Sequence, residues 1–189
     1  MKVDASNGMT YAPKGKPAPV VKPGEFIFSA AHLDHGHIYG MTNALLEAGG
    51  TLKYVYDPDP VKVENFLKKY PQALVARSEE QALNDPGTHL IAGAAVTSER
   101  CALGLRAMAA GKDYFTDKAP FTTLEQLNAA KEMVKKTGRK YMVYYSERLH
   151  VESAILAGYM IEQGEIGKVI SVTGFGPHRL SAKHRPAWF

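Results

Sequence analysis

The chain has 189 residues, 45% of them hydrophobic and 22% charged, with a formal charge of +4. That is the balance of a globular protein with room for one sizeable core. It excludes a disulfide framework, since there is one cysteine, and no apolar run reaches the roughly 18–20 residues of a membrane span. Residues 1 to 24 are rich in proline and glycine, lack periodicity and read as an extended tail. They lack the apolar core of a secretory signal. With Cys101 on the apolar face of a predicted helix, a reducing, cytoplasmic setting is expected.

Phe26-Ile27-Phe28 is a short apolar run of the kind that forms a buried strand. The turn Ala30-Ala31-His32-Leu33-Asp34-His35-Gly36 follows. Ile38, Met41, Leu45 and Ala48 then recur at helical spacing, Gly49-Gly50 closes the helix, and Leu52 to Tyr56 forms a second strand ending at Asp57. Strand, turn, helix, strand and acid make the outline of a dinucleotide-binding unit. A helix N-terminus offers N–H groups and positive partial charge to a diphosphate. The acid closing the second strand accepts hydrogen bonds from the ribose hydroxyls. The turn does not carry G-x-G-x-x-G. A register from Ser29 places Ser29, Ala31 and Asp34 at those positions, and one from His32 places His32, Asp34 and His37; both stay open.

Asp59 and Pro60 open the next helix as N-cap and first residue, which buries Val63, Phe66, Leu67 and Tyr70. Leu74-Val75 is a short strand. Ser78 to Gln81 has capping-box spacing. His89 to Val96 is apolar throughout, as a strand covered on both faces should be. Thr97-Ser98 caps a helix burying Cys101, Leu105 and Met108. Tyr114-Phe115 is a strand, Thr122 and Glu125 form a capping box, and a helix runs to Gly138. Tyr141 to Tyr145 is a strand. Lys131, Lys135, Lys136, Arg139 and Lys140 sit near that helix C-terminus, where cations suit the dipole. With no nucleic-acid-binding motif beside them, no nucleic-acid partner is expected. A further helix ends near Gln163, and Val169 to Phe175 reads as a strand.

The repeated β-α order predicts an α/β fold, a doubly wound parallel sheet. Its strand ends bring the His32 turn, Asp57, Val96-Thr97, Lys118 and Ser146-Glu147-Arg148 to one rim, where such sheets bind ligands. His32, Asp34, His35 and His37 offer four potential metal ligands in six residues. On a helix, positions i and i+2 do not share a face, so capping and phosphate-facing roles are preferred and no metal is expected.

Several short motifs in order resemble the Gfo/Idh/MocA family of glucose-fructose oxidoreductase, inositol dehydrogenase and rhizopine-type oxidoreductases. They are His35-Gly36-His37-Ile38-Tyr39-Gly40-Met41, Tyr56-Asp57-Pro58-Asp59-Pro60, Ala109-Ala110-Gly111-Lys112-Asp113, Asp117-Lys118-Ala119-Pro120, Ser146-Glu147-Arg148 and Gly164 to Val169. The resemblance implies a nicotinamide-dependent oxidoreductase acting on a sugar- or polyol-like hydroxyl. It implies a dinucleotide-binding domain over 25–148 and the start of an incomplete second α/β domain over 149–189. Lys118 matches the lysine of the family's E-K-P motif, near nicotinamide and substrate, and is the expected catalytic residue; here Ala119 separates lysine from proline. Asp57 matches the ribose-binding acid, and Arg148 an arginine at the domain junction.

The expected cofactor-binding set is thus His32, Leu33, Asp34, His35, Asp57, Val96, Thr97, Lys118 and Arg148. NAD is favoured over NADP because a carboxylate repels a 2′-phosphate. The family's catalytic histidine is expected downstream of Phe189. The expected assembly is a homo-oligomer with a small-molecule substrate and no membrane partner. The alternative is a nucleotide- or metabolite-binding module without catalysis, needing a partner or a missing C-terminal domain.

Overall fold

A computed structural model describes residues 18–146, 151–175 and 187–188. The chain divides into two compact units. The first ends at Tyr145 and contains β1 (Ile27–Ala31), α1 (His37–Glu47), β2 (Thr51–Tyr56), α2 (Pro60–Lys69), β3 (Leu74–Val75) and α3 (Glu79–Asn84). It continues with β4 (Leu90–Gly93), α4 (Arg100–Ala109), β5 (Asp113–Asp117), α5 (Leu124–Thr137) and β6 (Tyr141–Tyr144). The six strands form one parallel sheet in the order β3-β2-β1-β4-β5-β6. This is a Rossmann-like doubly wound sheet, with its direction of winding reversing between β1 and β4.

Two-residue alternation along the strands builds two cores. Phe28 and Ala30 of β1, Leu90 and Ala92 of β4 and Phe115 of β5 pack with Ile38 and Met41 of α1 and Val63 and Phe66 of α2. Ala31, Ile91 and Tyr114 face the other way, against Leu83 of α3 and Leu103 and Ala107 of α4. Phe66, with no exposed surface, packs its ring at a tilt against Tyr39 and Tyr70. Burying one such ring contributes about 2–3 kcal/mol. Burial, with the neighbouring Tyr39, pushes the Tyr70 hydroxyl up to about 12.

The helix boundaries follow local chemistry. Asp59 caps α2 by accepting from the Val61 N–H, with Pro60 next. Ser78 caps α3 through the Gln81 N–H. The α5 cap is Thr123, which accepts from the Gln126 N–H. The box is therefore one residue later than Thr122-x-x-Glu125, because Gln126 reaches back to the Thr122 N–H and draws Thr122 into the turn. Helix α1 stops where Gly49 takes φ +97, a conformation that favours glycine. Its last turn also anchors the approach to β1: the Val20 N–H donates to the Ala48 carbonyl.

The strand expected over 89–96 is shorter. His89 turns its Nδ1 to the Ile27 N–H, and Ala94 leaves the sheet by donating to the His32 carbonyl. The described residues of the second unit include α6 (Glu152–Glu162). The strand expected over Val169–Phe175 is not formed. Ile170, Val172 and Phe175 are 94%, 82% and 93% exposed, and a strand without a pairing neighbour leaves its backbone groups unmatched.

Candidate functional site

The carboxyl ends of β1 and β4 meet at the point where the winding reverses, and α1 begins there. The turn before α1 bends without glycine because His32 itself takes φ +58. That left-handed conformation costs an L-residue about 1–2 kcal/mol, and three contacts oppose the cost. The His32 N–H donates to the Tyr56 carbonyl, the His32 carbonyl accepts from the Ala94 N–H, and its Nε2 lies 2.5 Å from Glu79 Oε2. Glu79 is in turn gripped by Arg106 through two N–H groups. Burial would raise the Glu79 carboxyl, but the hydrogen bonds from Arg106 and His32 outweigh it and hold the group below its ordinary range.

Asp57 stands at the end of β2 with its carboxylate fully buried. Oδ2 accepts from the Leu33 N–H at 2.6 Å and Oδ1 from the Asp59 N–H at 2.8 Å. The acid therefore staples β2 to the turn after β1. Asp34 does not cap α1, whose N-cap is Gly36. Its carboxylate meets Lys62 Nζ at 2.6 Å, and that ammonium lies 3.7 Å from Asp57. Burial alone would lower the Lys62 ammonium; the Asp34 hydrogen bond and the neighbouring carboxylates raise it instead.

On the other side of the reversal, β5 ends at Asp117, which is completely buried. His35 Nδ1 is 2.7 Å from one carboxylate oxygen and His37 Nδ1 is 2.8 Å from the other. Arg100, itself 1% exposed, adds an Nη2 contact at 3.1 Å. Burial pushes the Asp117 carboxyl up, but the two imidazole hydrogen bonds and the His37 and Arg100 charges hold it well below the usual carboxylate range. Arg100 also donates to the carbonyls of Ala95, Lys118 and Ala119. The Lys118 N–H donates to Asp117 Oδ1. The backbone that carries the half-buried Lys118 is thus fixed from both sides, and its bond to Ala119 is cis.

The sheet thus brings the His32–His35 turn, Asp57, the half-buried Val96 and Thr97 and Lys118 to one edge. Arg148 lies outside the described residues, as do Glu147, His178 and His184. Sequence reasoning missed Arg100, Asp117 and Lys62 as parts of this edge. Arg100 had a readable signal: it shares a helical stripe with Leu103, Ala107 and Met108, all buried, and a charge on a core-facing stripe calls for a partner. Asp117 and Lys62 had none beyond their neighbours in sequence.

The residues fit a dinucleotide. Gly36, at the α1 N-terminus, has φ −60, and a Cβ added there would meet no atom within 4 Å. The backbone at the helix start is open to a diphosphate, and the residues after β4, Ala94 and Ala95, are small.

Residues 32–145 match the model of the Gfo/Idh/MocA group, described as an oxidoreductase family with an NAD-binding Rossmann fold. The chain is 28% identical over 132 residues to D-xylose dehydrogenase of Paenarthrobacter nicotinovorans, covering 67% of this chain and 34% of that protein. It is 31% identical over 127 residues to scyllo-inositol 2-dehydrogenase (NAD(+)) of Bacillus subtilis (strain 168), covering 67% and 37%. A solved structure from Erwinia carotovora atroseptica SCRI1043 superposes with a TM-score of 0.73 at 44% identity, over 77% of this chain and 44% of that one. The chain spans about a third of the length of the curated relatives it matches. With a 3-2-1-4-5-6 parallel sheet, an open helix start at its reversal and a family match over most of that unit, the chain belongs to the Gfo/Idh/MocA oxidoreductase family.

Proposed function

We propose that this chain carries the dinucleotide-binding part of an NAD(P)-dependent oxidoreductase that exchanges hydride with a sugar- or polyol-like hydroxyl. One observation carries the reading: a single sheet edge holds an open helix N-terminus at the winding reversal, with Asp57 on one flank and Lys118 on the other. Gly36 and the turn of His32, Leu33, Asp34 and His35 would face the diphosphate, and the segment from Asp57 to Lys62 the adenosine ribose. Val96, Thr97 and Lys118 would line the nicotinamide side. When bound, the nicotinamide supplies the ring carbon that accepts or gives hydride. The Lys118 ammonium donates a hydrogen bond to the carbinol oxygen and stabilises the charge that develops there.

NAD is favoured. Asp34 and Asp57 set two carboxylates against the one Lys62 ammonium, a balance that disfavours a 2′-phosphate. The sugar or polyol class is supported by relatives that act on xylose and scyllo-inositol. The setting is cytoplasmic, supported by a lone, buried Cys101 and by the lack, among the described residues, of any helix long and apolar enough to cross a membrane. The assembly is a homo-oligomer, supported by the exposed Leu156, Tyr159 and Ile161 on α6.

The experiment follows reduced nicotinamide by its absorbance while the protein is given NAD and a panel of pentoses, hexoses and inositols. Residues 1–189 alone are expected to turn over little or nothing, and a protein that includes the catalytic histidine expected downstream of Phe189 is expected to turn over one class and to lose that turnover in Lys118→Ala. A Lys118→Ala variant that turns over at the original rate overturns the role of Lys118.

A further inference from the structure

We propose that His35, His37 and Asp117 form a binding site for one divalent cation of zinc-like character. The three side chains come from two segments that the sheet holds in register, the turn before α1 and the end of β5. One ligand atom from each lies within 4.8 Å of the others. The two imidazole rings meet edge to face with centroids 4.2 Å apart. The spacing i and i+2 would separate them on a helix, but His35 precedes the first helical residue, His37.

Zinc bonds nitrogen and carboxylate oxygen at about 2.0–2.2 Å, so donors around one ion stand about 3.3 Å apart. The Nδ1–oxygen separations of 2.7 and 2.8 Å are those of hydrogen-bonded contacts, so the ion enters by replacing these two contacts while Arg100 and the Lys118 N–H keep theirs on the carboxylate. The carboxylate is sealed inside while the imidazoles are 28% and 27% exposed, which leaves a position for water. Two imidazoles with one carboxylate select zinc over magnesium or calcium, which prefer all-oxygen shells.

Arg100 balances the Asp117 charge in the metal-free protein. It is tied to the Ala95 and Lys118 carbonyls, so it stays as an outer partner of the carboxylate when the ion enters. Its charge weakens the site and does not occupy it. On binding through Nδ1, a neutral imidazole carries its proton on Nε2, and an imidazolium releases one proton to solvent.

The site shares His35 with the dinucleotide reading, but its test counts bound metal and needs no dinucleotide. The full chain is stripped with chelator, dialysed against zinc and then against metal-free buffer, and its metal is counted by elemental analysis. Cobalt replacement reports coordination through its visible absorption. About one zinc per chain is expected, with affinity falling at least about tenfold in His35→Gln and in His37→Gln, each checked for fold by circular dichroism. No retained zinc in the original protein, or equal retention by the double variant H35Q/H37Q, overturns the proposal.

Discussion

Replacing Arg100 by methionine tests the device that fixes both Asp117 and the Lys118 backbone. Arg100 is 1% exposed and reaches Asp117 and the carbonyls of Ala95, Lys118 and Ala119. Removing one member of a buried ion pair costs about 3–5 kcal/mol. The three carbonyls lose their donor in the same change, and methionine fills much of the volume. A net loss of about 4 kcal/mol is expected, against a total of about 5–15 kcal/mol for a domain. With a urea slope of about 2 kcal/mol per molar, the midpoint falls by about 2 M. Unfolding is followed by far-ultraviolet circular dichroism, because the single tryptophan, Trp188, lies in the other unit. The double variant R100M/D117N loses less than the sum of its singles by at least about 1 kcal/mol, since no charge is left uncompensated. A midpoint for R100M within about 0.3 M of the original protein refutes the reasoning.

The left-handed residue gives a second test: His32→Val, with a branched side chain at φ +58, is expected to be at least about 1 kcal/mol less stable than His32→Gly by urea unfolding. Gly104→Ala places a Cβ 2.5 Å from the Tyr114 ring and 2.6 Å from the Tyr141 ring; both rings are packed, so a loss of about 1–3 kcal/mol is expected in the same assay. Acid gives a third. Asp117 and Glu79 have carboxyl groups lowered in the folded state, so their stabilisation is complete above the unfolded carboxylate range and drains away as pH falls through the folded values. Melting temperature therefore drops steadily below about pH 5, and the slope is shallower in Asp117→Asn; an unchanged slope contradicts the assignment.

The sheet was legible because β and α periodicities alternate without interruption from Phe26 to Tyr145, and because caps such as Asp59-Pro60 and Ser78 are local chemistry. What sequence could not supply was the pairing of distant polar groups. Asp57 reads as a ribose acceptor from its place after β2, yet its oxygens are taken by the Leu33 and Asp59 N–H groups. His35 and His37 look separated by helical geometry until the helix is seen to begin at His37. Asp117 reads as the neighbour of Lys118, while its burial against Arg100 depends on how α4 packs on β5. The expected strand over Val169–Phe175 failed for a related reason, since apolar alternation marks a strand only where another strand lies alongside.

Gly36 allows the central claim to be tested without disturbing the fold. It sits at the α1 N-terminus with open space around it and an ordinary φ, so Gly36→Glu leaves the urea midpoint unchanged while setting a carboxylate where the diphosphate would lie. NADH titrated into the original protein and into Gly36→Glu, with nicotinamide fluorescence as readout, is expected to saturate in the first and to weaken by at least about tenfold in the second, the effect of roughly 1.4 kcal/mol. Equal binding by the two proteins, or no saturable binding by the original, contradicts a dinucleotide lying across the β1–β4 edge.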